Sequence, residues 1–424
     1  MYISKIELKN IRCFKELTIN LEQDGKPILW TTILGDNATG KTTLLRSIAM
    51  GVCDESSAAG LLKESEKGCI RHDEDNASIS ITLKEKNDSE KIYEIITVLE
   101  NFKTKGGRYF ERLRQTTSPP EIEFPWDKIF ACAYGADRGT IGTGDIAGYS
   151  TISAVHNIFD YEEGLQNPEL TIRRVKKLEI KDDILLVLNR LMKTKKIHLP
   201  DSGIEIDGPW GNPMPLRDLA DGYKSTFLWI TDLFGWALSY NPELNFGKEI
   251  AGVVLLDELE QHLHPKWQRT IIESLKEEFP NVQFIITTHS PIVAANASKL
   301  LIEDIDSKVL HAKFDDETVI ISEVEEKIAE LDFDQVLSSE AFDYIFSIRP
   351  EVEKVLRDAS ALASIDEPTS EEEAKLNEFI SALKNLMFPK GRTLIERIVE
   401  REYYKELEEN IENFEKILEE KRND

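Results

Sequence analysis

An octapeptide near the N-terminus, Gly35-Asp36-Asn37-Ala38-Thr39-Gly40-Lys41-Thr42, constrains this chain more than any other stretch. It has the spacing G-x-x-x-x-G-K-[ST], in which two glycines let backbone N–H groups turn toward phosphate oxygens. Ile28-Leu29-Trp30-Thr31-Thr32-Ile33-Leu34 precedes it, apolar and β-branched as a strand is. Thr43-Leu44-Leu45-Arg46-Ser47-Ile48-Ala49-Met50 follows it and reads as a helix. Strand, glycine loop and helix in that order set a helix N-terminus, with its partial positive charge, beneath an anion. Asn37, Ala38, Thr39, Gly40 and Thr43 are the expected cradle, Lys41 would reach the β and γ phosphates, and the Thr42 hydroxyl would ligate Mg²⁺.

At 424 residues the chain can hold two or three domains, each with its own core. Apolar residues make up 41% and charged residues 31%, the composition of a globular protein, and no run approaches the ~18 apolar residues of a membrane span. Met1 to Lys9 alternates like a strand and has no signal-peptide core. Cys13, Cys53, Cys69 and Cys132 are scattered without a C-x-x-C pair, so a reducing, cytoplasmic setting is expected. The net charge of −26 argues against indiscriminate binding of nucleic acid over the whole surface. Residues 321–424 hold 28 acidic against 14 basic side chains, so −14 of that charge sits in the last quarter.

Along the chain, residues 2–9 and 16–21 read as strands ahead of the phosphate-loop strand. Residues 54–78 read as a loop. Ala77–Leu83 and Lys91–Val98 alternate with period two across Asn87-Asp88-Ser89, a hairpin. Residues 100–125, basic and ending in a double proline, read as a loop. A strand from Lys128 to Tyr134 comes next. Asn167 to His198 reads as helical and basic, with Arg173, Arg174, Lys176, Lys177, Lys181, Arg190, Lys193, Lys195 and Lys196. Short β segments at 204–206 and 213–216 lead into an apolar helix that ends near Ser239. Ile250–Leu256 is a buried strand ending in the carboxylates Asp257 and Glu258; a helix over 265–279 and a strand over 282–290 follow. Strands and helices alternating in this way imply a largely parallel sheet flanked by helices. A carboxylate at the C-terminal edge of such a strand can hold Mg²⁺ beside the phosphates, and the next one can polarise the attacking water.

Gly35–Thr42, Leu219-Ala220-Asp221-Gly222-Tyr223-Lys224-Ser225, Asp257-Glu258 and His289 occur in the order of an ATP-binding-cassette ATPase. The opening Ile6-Glu7-Leu8-Lys9-Asn10-Ile11-Arg12-Cys13-Phe14 resembles the RecF-like and SMC-like branch. The run from Asp257 to Arg269, with Thr287-Thr288-His289-Ser290-Pro291, resembles bacterial defence-associated ATPases of the OLD and Septu kind. The resemblance covers about residues 1–312. It implies an α/β fold: an ABC-type head with a mixed sheet, an antiparallel β subdomain and flanking helices, spanning residues 1–321 with a basic helical insert at about 151–200. An acidic α-helical C-terminal region would occupy 322–424.

Carried over by position, the resemblance makes Lys41 the phosphate-binding catalytic lysine, Thr42 and Asp257 the Mg²⁺ partners, Glu258 the general base and His289 the sensor of the γ-phosphate. Ala220, Asp221, Gly222 and Lys224 would cap a second chain's nucleotide. This chain departs from the family twice. Ala220 replaces the usual serine, and no glutamine follows Tyr134 where a metal-contacting one is expected, leaving Arg138 as a candidate substitute. Glu260, His262 and His264 suit the family's subunit-contacting loop better than a metal site.

Two functions compete on these grounds. One is an ATPase that dimerises around ATP and regulates a nuclease on another chain, of HNH type in Septu-like relatives. The 100 or so helical residues after the ATPase region lack the α/β pattern of a Toprim nuclease, and no nuclease is expected in this chain. The other is a RecF-like clamp that grips DNA through 171–196. A membrane partner is not expected. An apolar stripe of Leu394, Ile395, Ile398, Val399, Leu407, Ile411, Phe414 and Leu418 in the C-terminal region must be buried against the chain's own body, a sister chain or a partner nuclease, and a partner or sister chain is the expected one.

Overall fold

The computed structural model describes residues 1–64, 68–85, 88–103, 109–142, 148–160, 162, 164–303, 306–315, 318–324 and 375. The chain divides into two compact units, Met1–Ile345 and Phe346–Asp424. Apart from Lys375, the described residues belong to the first. The expected C-terminal helices and their apolar stripe lie outside the described residues.

Strands β1 (Tyr2–Ile11) and β2 (Phe14–Asn20) pair antiparallel. A two-residue hairpin, β3 (Glu22–Gln23) and β4 (Lys26–Pro27), leads to β5 (Trp30–Gly35), helix α1 (Lys41–Gly51) and helix α2 (Glu55–Glu64). Then come β6 (Asn76–Glu85), β7 (Asp88–Lys103), β8 (Tyr109–Ser118) and β9 (Ala131–Tyr134). Helices α3 (Thr151–Val155), α4 (Pro168–Arg174) and α5 (Leu178–Met192) are followed by three short strands, β10 (Lys196–His198), β11 (Glu205–Asp207) and β12 (Met214–Pro215). The unit continues with α6 (Asp221–Tyr240), β13 (Gly252–Leu256), α7 (Pro265–Gln268), α8 (Ile271–Glu278), β14 (Val282–Thr288), α9 (Pro291–Glu303), β15 (Ser307–Asp315) and β16 (Thr318–Glu323).

Two sheets form the head. The six-stranded sheet runs β16-β15-β5-β14-β13-β9, parallel throughout except for β16 at its edge. The five-stranded sheet, β2-β1-β6-β7-β8, is antiparallel. Parallel strands are covered on both faces, which is why β13 reads as a continuous apolar run and β14 is buried along its whole length. Val254, Leu256, Phe284 and Ile286 pack with α5, α6 and α8 in one core. Val253, Leu255 and Ile285 face the other way, with α1 and the antiparallel sheet. One side chain ties the layers: buried Gln283 of β14 accepts from Ile3 N (2.7 Å) and donates to Ile3 O (2.8 Å) and Ile28 O (2.9 Å).

Four stretches differ from expectation. Residues 55–64 form α2, not loop: Asp54 Oδ1 accepts from Ser56 N and Ser57 N, a side-chain cap that starts the helix. Residues 100–118 are mostly strand, since β7 runs on to Lys103 and pairs with β8. Their charged residues fit because β8 is an edge strand of a sheet with one wet face. The basic region is two helices broken at Val175–Lys177, followed by the strand β10, and the 265–279 helix is broken at Arg269–Thr270.

Candidate active site

The phosphate loop joins β5 to α1 at the C-terminal edge of the parallel sheet. Gly40 has φ +82°, and a Cβ there would lie 2.3 Å from Cys13 Sγ, so only glycine fits against the β1–β2 turn. Ala38 also takes a positive φ, +68°. Asp36, Asn37 and Ala38 are exposed at the tip, while the Thr39 side chain folds back, its Oγ1 donating to Asp36 O at 2.8 Å. Lys41 is buried, its Nζ donating to Gly35 O (2.8 Å) and Asp36 O (2.6 Å). Burial lowers its pKa to about 8, against the opposing pull of Asp257, Glu258 and other nearby carboxylates.

β13 lies two strands from β5 and delivers Asp257 to the same edge. Asp257 Oδ2 accepts from Thr42 Oγ1 at 2.6 Å, and Oδ1 accepts from Thr287 Oγ1 at 2.5 Å. Thr287 Oγ1 in turn accepts from Glu258 N at 2.8 Å. The two side chains expected to hold Mg²⁺ therefore meet, and both offer oxygen, the donor that this hard cation takes. The site fits the ion.

Glu258 has φ +47°, a left-handed conformation that costs a non-glycine residue about 1–3 kcal/mol unless its surroundings impose it. Its Oε1 lies 3.4 Å from His289 Nε2, and both side chains are about one-third exposed. Glu260 sets the histidine's backbone, accepting from Thr288 Oγ1 and from His289 N, both at 2.6 Å. With both its oxygens engaged there, and His264 Nδ1 accepting from Lys266 N to cap α7, these side chains serve the loop's own structure.

Arg138 is not a substitute for the metal-contacting glutamine. The residue is 2% exposed, and its guanidinium donates to the backbone carbonyls of Gly135, Asp257, Glu258 and Leu259, at 2.7–3.2 Å. Arg138, Thr287 and Glu260 do work for which the motif spacing gave no signal. Their partners lie up to 121 residues away in sequence, so only the fold brings them together.

The signature residues lie elsewhere on the unit. Ala220 is the N-cap of α6 and makes no side-chain cap bond. Asp221 pairs with Lys224 at 3.0 Å. A Cβ on Gly222 would come 2.2 Å from His262 O, so the helix start packs directly on the loop after Glu258. Tyr223 stacks edge-on with Trp210 and Trp267. Among the described residues, none of Leu219–Ser225 forms a hydrogen bond or ion pair with Gly35–Thr42.

Between the sheet and the basic insert, Leu165 N donates to Thr140 O (2.9 Å) and Gly142 N to Leu165 O (2.6 Å). The next residue, Gln166, donates its backbone N–H to Asp232 Oδ1 on α6, whose Oδ2 accepts from the Tyr134 hydroxyl, each at 2.9 Å. Several of the insert's cations are tied within the fold: Arg173 to Glu169, Lys177 to Glu243, Arg190 to Glu278, and Lys193 to Thr270.

A family model described as "AAA domain, putative AbiEii toxin, Type IV TA system" matches residues 31–295, from the start of β5 into α9. The chain belongs to this family, AAA_21. Among curated proteins it is 24% identical over 306 residues to a Septu protein PtuA of Bacillus mycoides, covering 69% of this chain and 38% of that protein. It is 41% identical over 83 residues to the "Retron Vc95 probable ATPase" of Vibrio cholerae, covering 20% of this chain and 16% of the relative. The chain thus spans well under half the length of these two relatives. Among solved structures, an SMC head bound to the C-terminal winged-helix domain of ScpA aligns with 78% of this chain and 100% of its own, at 17% identity and a TM-score of 0.49. Among the described residues no helix is long and apolar enough to cross a membrane. Over residues 31–295 this is an AAA domain, similar in part to a Septu protein PtuA and to a retron probable ATPase.

Proposed function

We propose that the chain binds and hydrolyses ATP with Mg²⁺, pairs with a second copy around two nucleotides, and so regulates a nuclease of HNH type carried on a separate chain in anti-phage defence. The observation that carries this reading is the continuous linkage Thr42–Asp257–Thr287–Glu258 at the phosphate loop. Loop N–H groups and Lys41 bind the phosphates. Thr42 and Asp257 would hold Mg²⁺, which supplies charge neutralisation for the phosphate oxygens. Glu258 Oε1 accepts the proton of the attacking water, and His289 Nε2, 3.4 Å away, orients that carboxylate. Ala220–Lys224 would complete the partner copy's site. Turnover is slow, because alanine at 220 removes a hydroxyl donor from that trans contact.

The nuclease assignment rests on the Septu relatives and on the acidic, apolar-striped 322–424 region, which we read as the assembly segment. The competing DNA-clamp reading is weakened by the intramolecular partners of Arg173, Lys177, Arg190 and Lys193.

Glu258→Gln tests the ATPase reading. It should keep ATP affinity, lose roughly 100- to 10,000-fold in turnover, and elute as a dimer in ATP on size exclusion. Normal hydrolysis by this variant would remove Glu258 as the base.

A further inference from the structure

The turn after β13 carries the general base, and it stands in a conformation that its own sequence does not favour. Glu258 is left-handed at φ +47°. Such a turn persists only where its surroundings fix it. From the amide side, Thr287 does so: Glu258 N donates to Thr287 Oγ1 (2.8 Å) and Leu259 N to Thr287 O (3.0 Å).

On the carbonyl side a single side chain does the same. Arg138 Nη1 donates to Asp257 O (2.7 Å), and Nη2 donates to Glu258 O (3.0 Å) and Leu259 O (3.2 Å). Three successive carbonyls of the turn converge on one guanidinium. A second bond from Nη1 to Gly135 O (2.9 Å) fixes the guanidinium to its own segment, just past β9. The group is buried, yet among the described residues it pairs with no carboxylate, and its Nε has no partner. A buried cation devoted to carbonyls is a costly way to fill space, since apolar packing would serve. Burial lowers its pKa only to about 10, so it stays charged at neutral pH.

We propose that Arg138 is a positioning residue for ATP hydrolysis: by gripping the carbonyls of Asp257, Glu258 and Leu259 it holds the left-handed turn that presents the Glu258 carboxylate beside His289. It acts through Glu258, by way of the turn's carbonyls. The planar fork of arginine is required, because the single ammonium of lysine cannot span three carbonyls in this geometry. This inference rests on the ATPase reading above.

The test combines Arg138→Lys, Arg138→Ala and the Glu258→Gln background. Arg138→Lys, which keeps the charge, should lower kcat by about tenfold or more while ATP affinity stays within about twofold of the parent, because the phosphate loop is built without it. Added guanidinium should restore part of the lost turnover in Arg138→Ala and should not stimulate Arg138→Lys. In the Glu258→Gln background, Arg138→Lys should cause no further loss, since both changes remove one function. Parental kcat in Arg138→Lys, loss of ATP affinity in step with kcat, or fully additive losses with Glu258→Gln would each overturn the assignment and leave the ATPase reading standing. A parent that binds ATP without hydrolysing it would instead overturn the ATPase reading, and this assignment with it. Should Arg138→Ala fail to fold, Arg138→Lys and the double variant decide the matter.

Discussion

The turn at Asp257–Glu260 and the turn at Ala220–Lys224 are built to opposite rules. The first is held from every side: Asp257 by two threonine hydroxyls, Glu258 by Thr287 and Arg138, Glu260 by the two residues it braces. The second shows exposed residues at Ala220 and Asp221, an N-cap without a side-chain bond, and one ion pair within its own turn. A site that binds its ligand within one chain must be preorganised there. In the proposed pairing of two copies, a surface that completes a site on another chain needs only a correct backbone and an open face. Gly222, seated on His262 O, supplies the backbone.

If that contrast is right, changes to the first region abolish binding or chemistry, and changes to the second tune turnover alone. The largest effect on binding should come from Lys41→Ala. Losing one partner of a buried charged contact costs about 2–5 kcal/mol, so ATP affinity should fall by roughly 30-fold or more in a direct titration. Unchanged affinity would break the assignment of the loop. A smaller effect follows from Lys41 titrating near 8 without nucleotide. Phosphate raises that pKa, so binding takes up a proton. Affinity is therefore full below pH 8 and declines above it, by about tenfold between pH 7 and pH 9, and a flat profile would contradict the burial of Lys41. Smallest, Ala220→Ser should restore a hydroxyl donor worth about 0.5–1.5 kcal/mol. It should raise turnover by roughly two- to tenfold at high protein concentration, with ATP affinity unaltered. A shift in affinity instead would mean that the signature turn reaches the nucleotide of its own chain.

The parts of the site legible in the sequence were those whose chemistry is local. Gly35–Thr42 carries its loop conformation in its glycines, and Asp257–Glu258 announces itself at the end of an apolar run. The parallel sheet was legible for the same reason, because burial on both faces leaves β13 and β14 without polar alternation. What escaped was set by distant partners. Helix α2 was obscured by its serines and by Gly60, which packs a would-be Cβ 3.1 Å from Ile152 Cδ1. Strand β8 was obscured by charges that an edge position tolerates. Arg138 sits in a glycine-rich stretch whose polarity suggests loop, and nothing in its neighbours foretells carbonyl acceptors from Asp257 to Leu259.

The bonds that hang the basic insert on the sheet have a mechanical consequence. Leu165 is laced to Thr140 and Gly142, and Thr140 is only two residues from Arg138. Gln166, beside it, is fastened to α6 through Asp232. Helices α4 and α5 are therefore linked to two anchor points, the segment carrying Arg138, which grips the turn at Asp257–Leu259, and helix α6. Any displacement of the insert is thereby shared between the segment that carries Arg138, next to the edge strand β9, and the helix that begins at Asp221.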